Sequence, residues 1–129
     1  MEKQVFGWVE IAVSDMDRAI KFYESVFGFT ISRNKMGELD MGWFPWSENP
    51  EAPGAGGSLV YHKDFYKPAQ NGTLVYFNSP SGDLNNELAK VEKAGGKILA
   101  PKKQISPEHG YMGLFIDSEG NRIALHSRN

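Results

Sequence analysis

Val9, Ile11 and Val13 fall on one parity of the chain, and Trp8, Glu10 and Ala12 on the other. A period of two marks a half-buried strand, so residues 5–13 are read as the first strand. Ser14 or Asp15 then caps a helix, with Asp17 in its first turn. Met16, Ala19, Ile20, Tyr23 and Phe27 recur at helical spacing, and Gly28 supplies a left-handed stop. Phe29–Arg33 and Leu39–Phe44 read as strands around a turn at Met36-Gly37-Glu38. Residues 45–57 (PWSENPEAPGAGG) are too rich in Pro and Gly for regular structure and predict a long loop of the lid kind. Ser58–His62 gives a fourth strand.

After a polar connector over 63–72 the pattern restarts. Thr73–Asn78 alternates as a strand, SPSGD (79–83) turns, and Leu84, Leu88 and Val91 mark an amphipathic helix that stops at Gly95-Gly96. Lys97–Ala100 is a strand, 101–110 a Pro-containing loop, and Tyr111–Ile116 a strand. A five-residue hairpin turn, DSEGN (117–121), leads into a last strand over Arg122–Ser127. The order is βαβββ twice, over 5–62 and 73–127, an α+β architecture built by internal duplication. The two helix-stopping glycines lie 67–68 residues apart.

Composition narrows what such a domain can do. At 129 residues the chain fits a single domain, since domains cluster near ~100–150. It has no Cys, which removes disulfides, thiolate metal sites and a Cys nucleophile. A formal charge of −2 argues against a nucleic-acid groove. No run reaches the ~20 apolar residues of a membrane span. Met1-Glu2-Lys3-Gln4 shows no apolar leader, so a cytoplasmic protein is expected. Three Trp, five Tyr and eight Phe exceed what a small core needs and suit a lined pocket or an interface.

VEIAVSDMDRAIKFYESVFGF (9–29) resembles the opening of the vicinal oxygen chelate superfamily, which includes glyoxalase I, extradiol dioxygenases and the fosfomycin and bleomycin resistance proteins. GYMGLFIDSEGNRIALH (110–126) is similar to that superfamily's closing hairpin. GTLVYF (72–77) and AGGKILAPK (94–102) are similar to a bacterial glyoxalase/bleomycin resistance-like subgroup. The resemblance implies paired βαβββ modules forming a cup-shaped sheet with a site inside. In metal-dependent members, ligands come from the first and fourth strands of each module, and the metal acts as Lewis acid and template. The resemblance also implies a homodimer.

The ligand positions so implied are occupied here by Trp8, a residue near Leu59, Thr73 and Ala124. Trp, Leu and Ala bind no metal and Thr is a poor ligand, so no metal cofactor is expected. A displaced site would rest on Glu10 and His126, each two residues from a lost ligand, and would offer only two ligands where a catalytic metal wants three. Glu10 inside a cup must be paired or protonated. Its expected partners are Arg122, His126 or a backbone amide. Glu10 with His126 also suits general base chemistry and proton shuttling. The ligand-binding set expected around them is Trp8, Trp43, Tyr61, Thr73 and Ala124. Trp46 and its loop would cover the cup, Tyr76 is expected in the core, and His62 is expected to face outward.

Two functions follow. One is metal-free binding of a flat or apolar small molecule in an aromatic-lined cup. The other is a lyase or isomerase using Glu10 as base, with or without a divalent metal. A third, a protein–protein module whose cup is filled by its own side chains, stays open beside them.

Overall fold

The computed structural model describes residues 4–129. Met1–Lys3, on which most of the leader reading rests, lie outside the described residues. The elements are β1 (Trp8–Ala12), α1 (Met16–Phe27), β2 (Ser32–Met36), β3 (Leu39–Trp43), β4 (Gly56–Tyr61), β5 (Val75–Asn78), α2 (Leu84–Val91), β6 (Lys97–Ser106), β7 (Gly110–Ile116) and β8 (Arg122–Ser127). The βαβββ order occurs twice, as the sequence predicts. The strands form two four-stranded sheets, ordered β1-β4-β3-β2 and β5-β8-β7-β6, and among the described residues no barrel closes. In each, the first and fourth strands of the module pair in parallel and the rest antiparallel.

Each helix starts where its cap residue demands. The Asp15 side chain accepts the Arg18 N–H at 3.1 Å, and Asp83 accepts the Asn85 N–H at 3.0 Å. Gly28, at φ +79°, ends α1 in the left-handed conformation that residues with a Cβ rarely adopt. The apolar stripe of α1 (Met16, Ala19, Phe22, Tyr23, Val26, Phe27) is buried.

Both sheets turn one face to the same core. Val9, Ile11 and Leu59 from the first sheet and Phe115, Ile123 and Leu125 from the second meet α1 and α2 in one cluster. Aromatic rings bridge the modules: Phe22 packs on Phe115 at 5.9 Å and Phe27 on Phe77 at 4.8 Å. Fully burying one such ring contributes roughly 1.5–3 kcal/mol. Since both inner faces are spent on the common core, the opposite face of each sheet turns away from it.

The DSEGN hairpin clasps the two modules together. The enclosed Glu119 carboxylate accepts the N–H groups of Ser14 and Asp15, both at 2.8 Å, and the Arg18 Nε at 2.7 Å. Burial alone would raise the Glu119 carboxyl, but Arg18 and the amides of Asp15 and Ser14, with the Ser118 hydroxyl, hold it below the usual range. The buried Tyr23 hydroxyl donates to Asp117 at 2.6 Å, and Asn121 Nδ2 donates to the Ala12 carbonyl at 2.8 Å. Burial, then the Asp117 charge, pushes the Tyr23 phenol well above its ordinary value.

β1, β4 and β5 shift their ends by one to three residues from the sequence reading, and β2 and β6 depart further from it. β2 begins at Ser32 rather than Phe29, because Phe29 stacks on Phe27 at 5.3 Å and Ile31 is buried. Residues 101–106 continue β6 rather than forming a loop. β6 is an edge strand, where the missing N–H of Pro101 is tolerated, and its pairing shifts register on both sides of Ala100. Among the described residues no helix is long and apolar enough to cross a membrane.

Candidate functional site

Alternation along β1 sends Val9 and Ile11 into the core and leaves Trp8, Glu10 and Ala12 on the opposite face. Pairing extends that face across the sheet. Trp8 lies beside Gly56, Glu10 beside Ser58, and Ser58 beside Trp43 on its other flank. Trp8 and Trp43 meet edge to face, ring centroids 5.5 Å apart and planes at 68°. They remain 42% and 40% exposed, so the pair is a surface feature rather than core filling. Trp46, from the Pro- and Gly-rich loop, lies against Gly56, where any β-carbon would run into its ring and would also crowd Trp8. Phe44, next to Trp43, points the other way and packs on Tyr23 and Phe77.

Glu10 is exposed and accepts a hydrogen bond from the Tyr66 hydroxyl at 2.6 Å. That bond, with some burial, raises the Tyr66 phenol, which therefore stays protonated and donating across the neutral range. Tyr66 replaces the partners expected for Glu10, namely Arg122, His126 or an amide. It sits in the 63–72 connector, where no periodicity signals a role. Between Glu10 and Trp43, Ser58 is fully buried, and its hydroxyl has no hydrogen-bond partner among the described residues. A buried hydroxyl left unpaired costs about 1–3 kcal/mol.

The other expected residues are placed elsewhere. Ala124 and His126 lie on the outer face of the second sheet, in register with Tyr76 and Asn78. His126 Nε2 is 2.5 Å from the His109 carbonyl oxygen, so Glu10 and His126 keep separate partners on separate sheets. Thr73 is exposed, two residues ahead of β5. The structure corrects the expectation that Tyr61 faces into the cup. Leu59 takes the core side of β4, so Tyr61, two residues on, shares the helix side and lines a polar cleft with Ser14, Asp17, Arg33 and Asp40. The same parity turns Ser58 and Val60, not Leu59, toward the Trp8 face. It also reverses the expectation for His62, which is buried, with Nδ1 accepting the Asp64 N–H at 3.0 Å. Tyr76 is corrected too. Phe77 takes the core position, and Tyr76 stands half-exposed on the outer face, its hydroxyl 3.9 Å from Met112 Sδ.

A divalent metal does not fit the side chains at the positions where the resemblance implies ligands. An indole at 8, Ser58 or Leu59 on β4, a lone hydroxyl at 73 and a methyl at 124 make no donor set. Among the described residues, no three His, Asp or Glu side chains gather where they could hold an ion.

The geometry agrees with comparison to known proteins. The Glyoxalase/Bleomycin resistance protein/Dioxygenase superfamily matches residues 5–125. A glyoxylase-like domain-containing protein of Didymella fabae is 26% identical over 129 residues, covering 97% of this chain and 94% of its own. A glyoxylase/bleomycin resistance protein/dioxygenase domain from Frankia sp. EAN1pec superimposes with TM-score 0.72 at 15% identity, over 97% of this chain and 98% of that one. Glyoxalase I from Zea mays superimposes with TM-score 0.68 at 19% identity over 94% of this chain, which spans only 45% of the maize chain. At these identities the structural likenesses are likenesses of fold.

Proposed function

The chain belongs to the glyoxalase/bleomycin resistance protein/dioxygenase superfamily, and from that premise we propose that it binds a small organic molecule against the outer face of its first sheet, without a metal. The observation that carries this reading is the Trp8–Trp43 pair, held edge to face at 5.5 Å yet about two-fifths exposed. Rings of this size are left in water at a cost, and a flat ligand laid on them recovers it. Trp46 extends the aromatic surface, and Gly56 lets it come close. A second copy of the chain would supply the opposite wall of a cup, facing the exposed Trp8 and Trp43. A homodimer is thus part of the same reading. The test is a ligand screen read by tryptophan fluorescence. Trp8→Ala and Trp43→Ala are expected to abolish saturable quenching while leaving the fold intact by circular dichroism. Unchanged binding in both variants would remove the assignment.

The hydrogen bond from Tyr66 favours a second reading, in which Glu10 is the general base of a lyase or isomerase step. A phenol that stays protonated beside a carboxylate gives an acid next to a base. A metabolite screen tests it: turnover lost in Glu10→Gln supports this reading, and full activity in that variant ends it.

A further inference from the structure

The face that carries the tryptophans also has a distinctive charge. The pairing register places twelve residues on it, from Trp8, Glu10 and Ala12 on β1 across to Ser32, Asn34 and Met36 on β2. Glu10 is the only charged one among them. Arg33 and Lys35, the basic residues of β2, lie on the opposite parity, and Arg33 is occupied by Asp40 at 2.6 Å. Among the described residues no Lys or Arg pairs with Glu10. Tyr66 engages only its Oε1, and among the described residues Oε2 has no partner. An unpaired carboxylate thus stands beside a corner of two indoles, one strand away from Ser58 and two from Trp43. Neighbouring strands are about 4.8 Å apart, which puts Glu10 and Trp43 roughly 10 Å apart at their Cα atoms with both side chains on one face.

Resting on the small-molecule reading, we infer that this face selects an organic cation of the methylated ammonium class, seated in the corner that the Trp8 and Trp43 rings form, with its charge facing the Glu10 carboxylate. Three features of the site suit that chemistry. Indole has the most electron-rich face of the aromatic side chains, and steeply inclined indoles present two such faces to one small cation. A methylated ammonium is bulky and weakly hydrated, so it loses little on leaving water and needs no directed hydrogen-bond acceptors. The carboxylate supplies long-range attraction, and the Tyr66 hydroxyl fixes its position. An anionic ligand would meet repulsion from Glu10 and find no basic side chain among the twelve strand residues of this face.

The test compares choline with 3,3-dimethylbutan-1-ol, which has the same shape without the charge, and with neutral 2-naphthol, all read by tryptophan quenching and calorimetry on the full chain. Choline is expected to bind saturably and at least tenfold more tightly than its uncharged analogue. Glu10→Gln is expected to weaken choline at least fivefold and to leave 2-naphthol unchanged. Trp43→Ala is expected to weaken both, and Trp43→Phe to weaken choline less than Trp43→Ala, with thermal melts confirming folding. Equal affinity for choline and its analogue, or choline binding untouched by Glu10→Gln, overturns the cation assignment. So does Trp43-dependent binding of 2-naphthol without choline binding, which leaves the small-molecule reading standing. No quenching by any of the three overturns both.

Discussion

The two sheets share one strand order and one core, yet their outer faces have little chemistry in common. On the first, Trp8, Trp43 and Trp46 gather over Gly56 beside a Tyr66-tethered carboxylate. On the second, the corresponding row holds Tyr76, Ala124 and Leu114, and the next row Asn78, His126 and Met112. The inner faces are interchangeable in kind: Ile11 and Leu59 do for one sheet what Phe77 and Leu125 do for the other. Each module has the inner face that packing requires. The outer faces, free of that requirement, differ, and the aromatic excess is concentrated on the first. The reading of that face as the binding surface rests on this asymmetry.

Removing what both faces share should erase the difference between them. Phe22 is buried and touches both Tyr23 and Phe115, so it joins the modules. Phe22→Ala is expected to cost about 3–5 kcal/mol in denaturant unfolding, with the signals of both sheets lost in one transition. A selective loss from one sheet would show that the modules are not one cooperative unit.

The clasp comes next. Glu119→Gln removes the charge that holds Arg18 and the first amides of α1, and is expected to cost about 2 kcal/mol. Its pH dependence has a definite sign. The Glu119 carboxyl is held below its ordinary 4.5 in the folded state, so its contribution is complete above that value and is lost as pH falls through the lower folded value. Between pH 5 and pH 2 the variant should therefore lose less stability than the parent; parallel acid titrations would show that Glu119 is not the group responsible.

A smaller effect separates the faces. Gly56→Ala puts a methyl group where the Trp46 ring lies, and that ring must leave. Because Trp46 is two-thirds exposed, the stability cost should stay near ~1 kcal/mol. Tryptophan emission should shift and ligand quenching weaken, while the near-ultraviolet tyrosine signal of the second face stays unchanged. An unaltered emission spectrum would mean that Trp46 does not rest on Gly56.

Which of these features could be read beforehand depends on whether alternation was visible. In β1 the contrast between Val9 or Ile11 and Glu10 is plain, so the sequence alone separates the inner face from the outer as the structure has them. In SLVYH (58–62) Leu59 and Val60 are both apolar and both fully buried, so hydropathy cannot choose a parity. Only pairing with β1 and β3 decides it, and that pairing reverses the expected sides of Tyr61 and His62. VYF (75–77) poses the same problem, and Phe77 rather than Tyr76 takes the core. Pro101 suggested a loop because its place at a sheet edge is a property of topology. Tyr66 could not be found at all. It acts from a connector with no period, through a contact spanning 56 residues of sequence.

That contact gives the smallest and most local test of the comparison. Tyr66→Phe keeps the ring and removes one hydrogen bond to Glu10, a loss of about 1 kcal/mol at neutral pH. The phenol is raised above its ordinary 10.0 when folded, so its contribution is present below that pH and is lost as pH rises through the higher folded value. The stability difference between parent and variant should therefore be constant through neutrality and shrink in strong alkali. Absorbance titration should show one fewer late-ionising tyrosine in the variant. Ligand binding should weaken only modestly, because the carboxylate remains and only its tether is gone. If Tyr66→Phe weakened binding as much as Glu10→Gln, the hydroxyl itself would be touching ligand. The distinction between the faces would then lie in a phenol from the connector as much as in the tryptophans of the sheet.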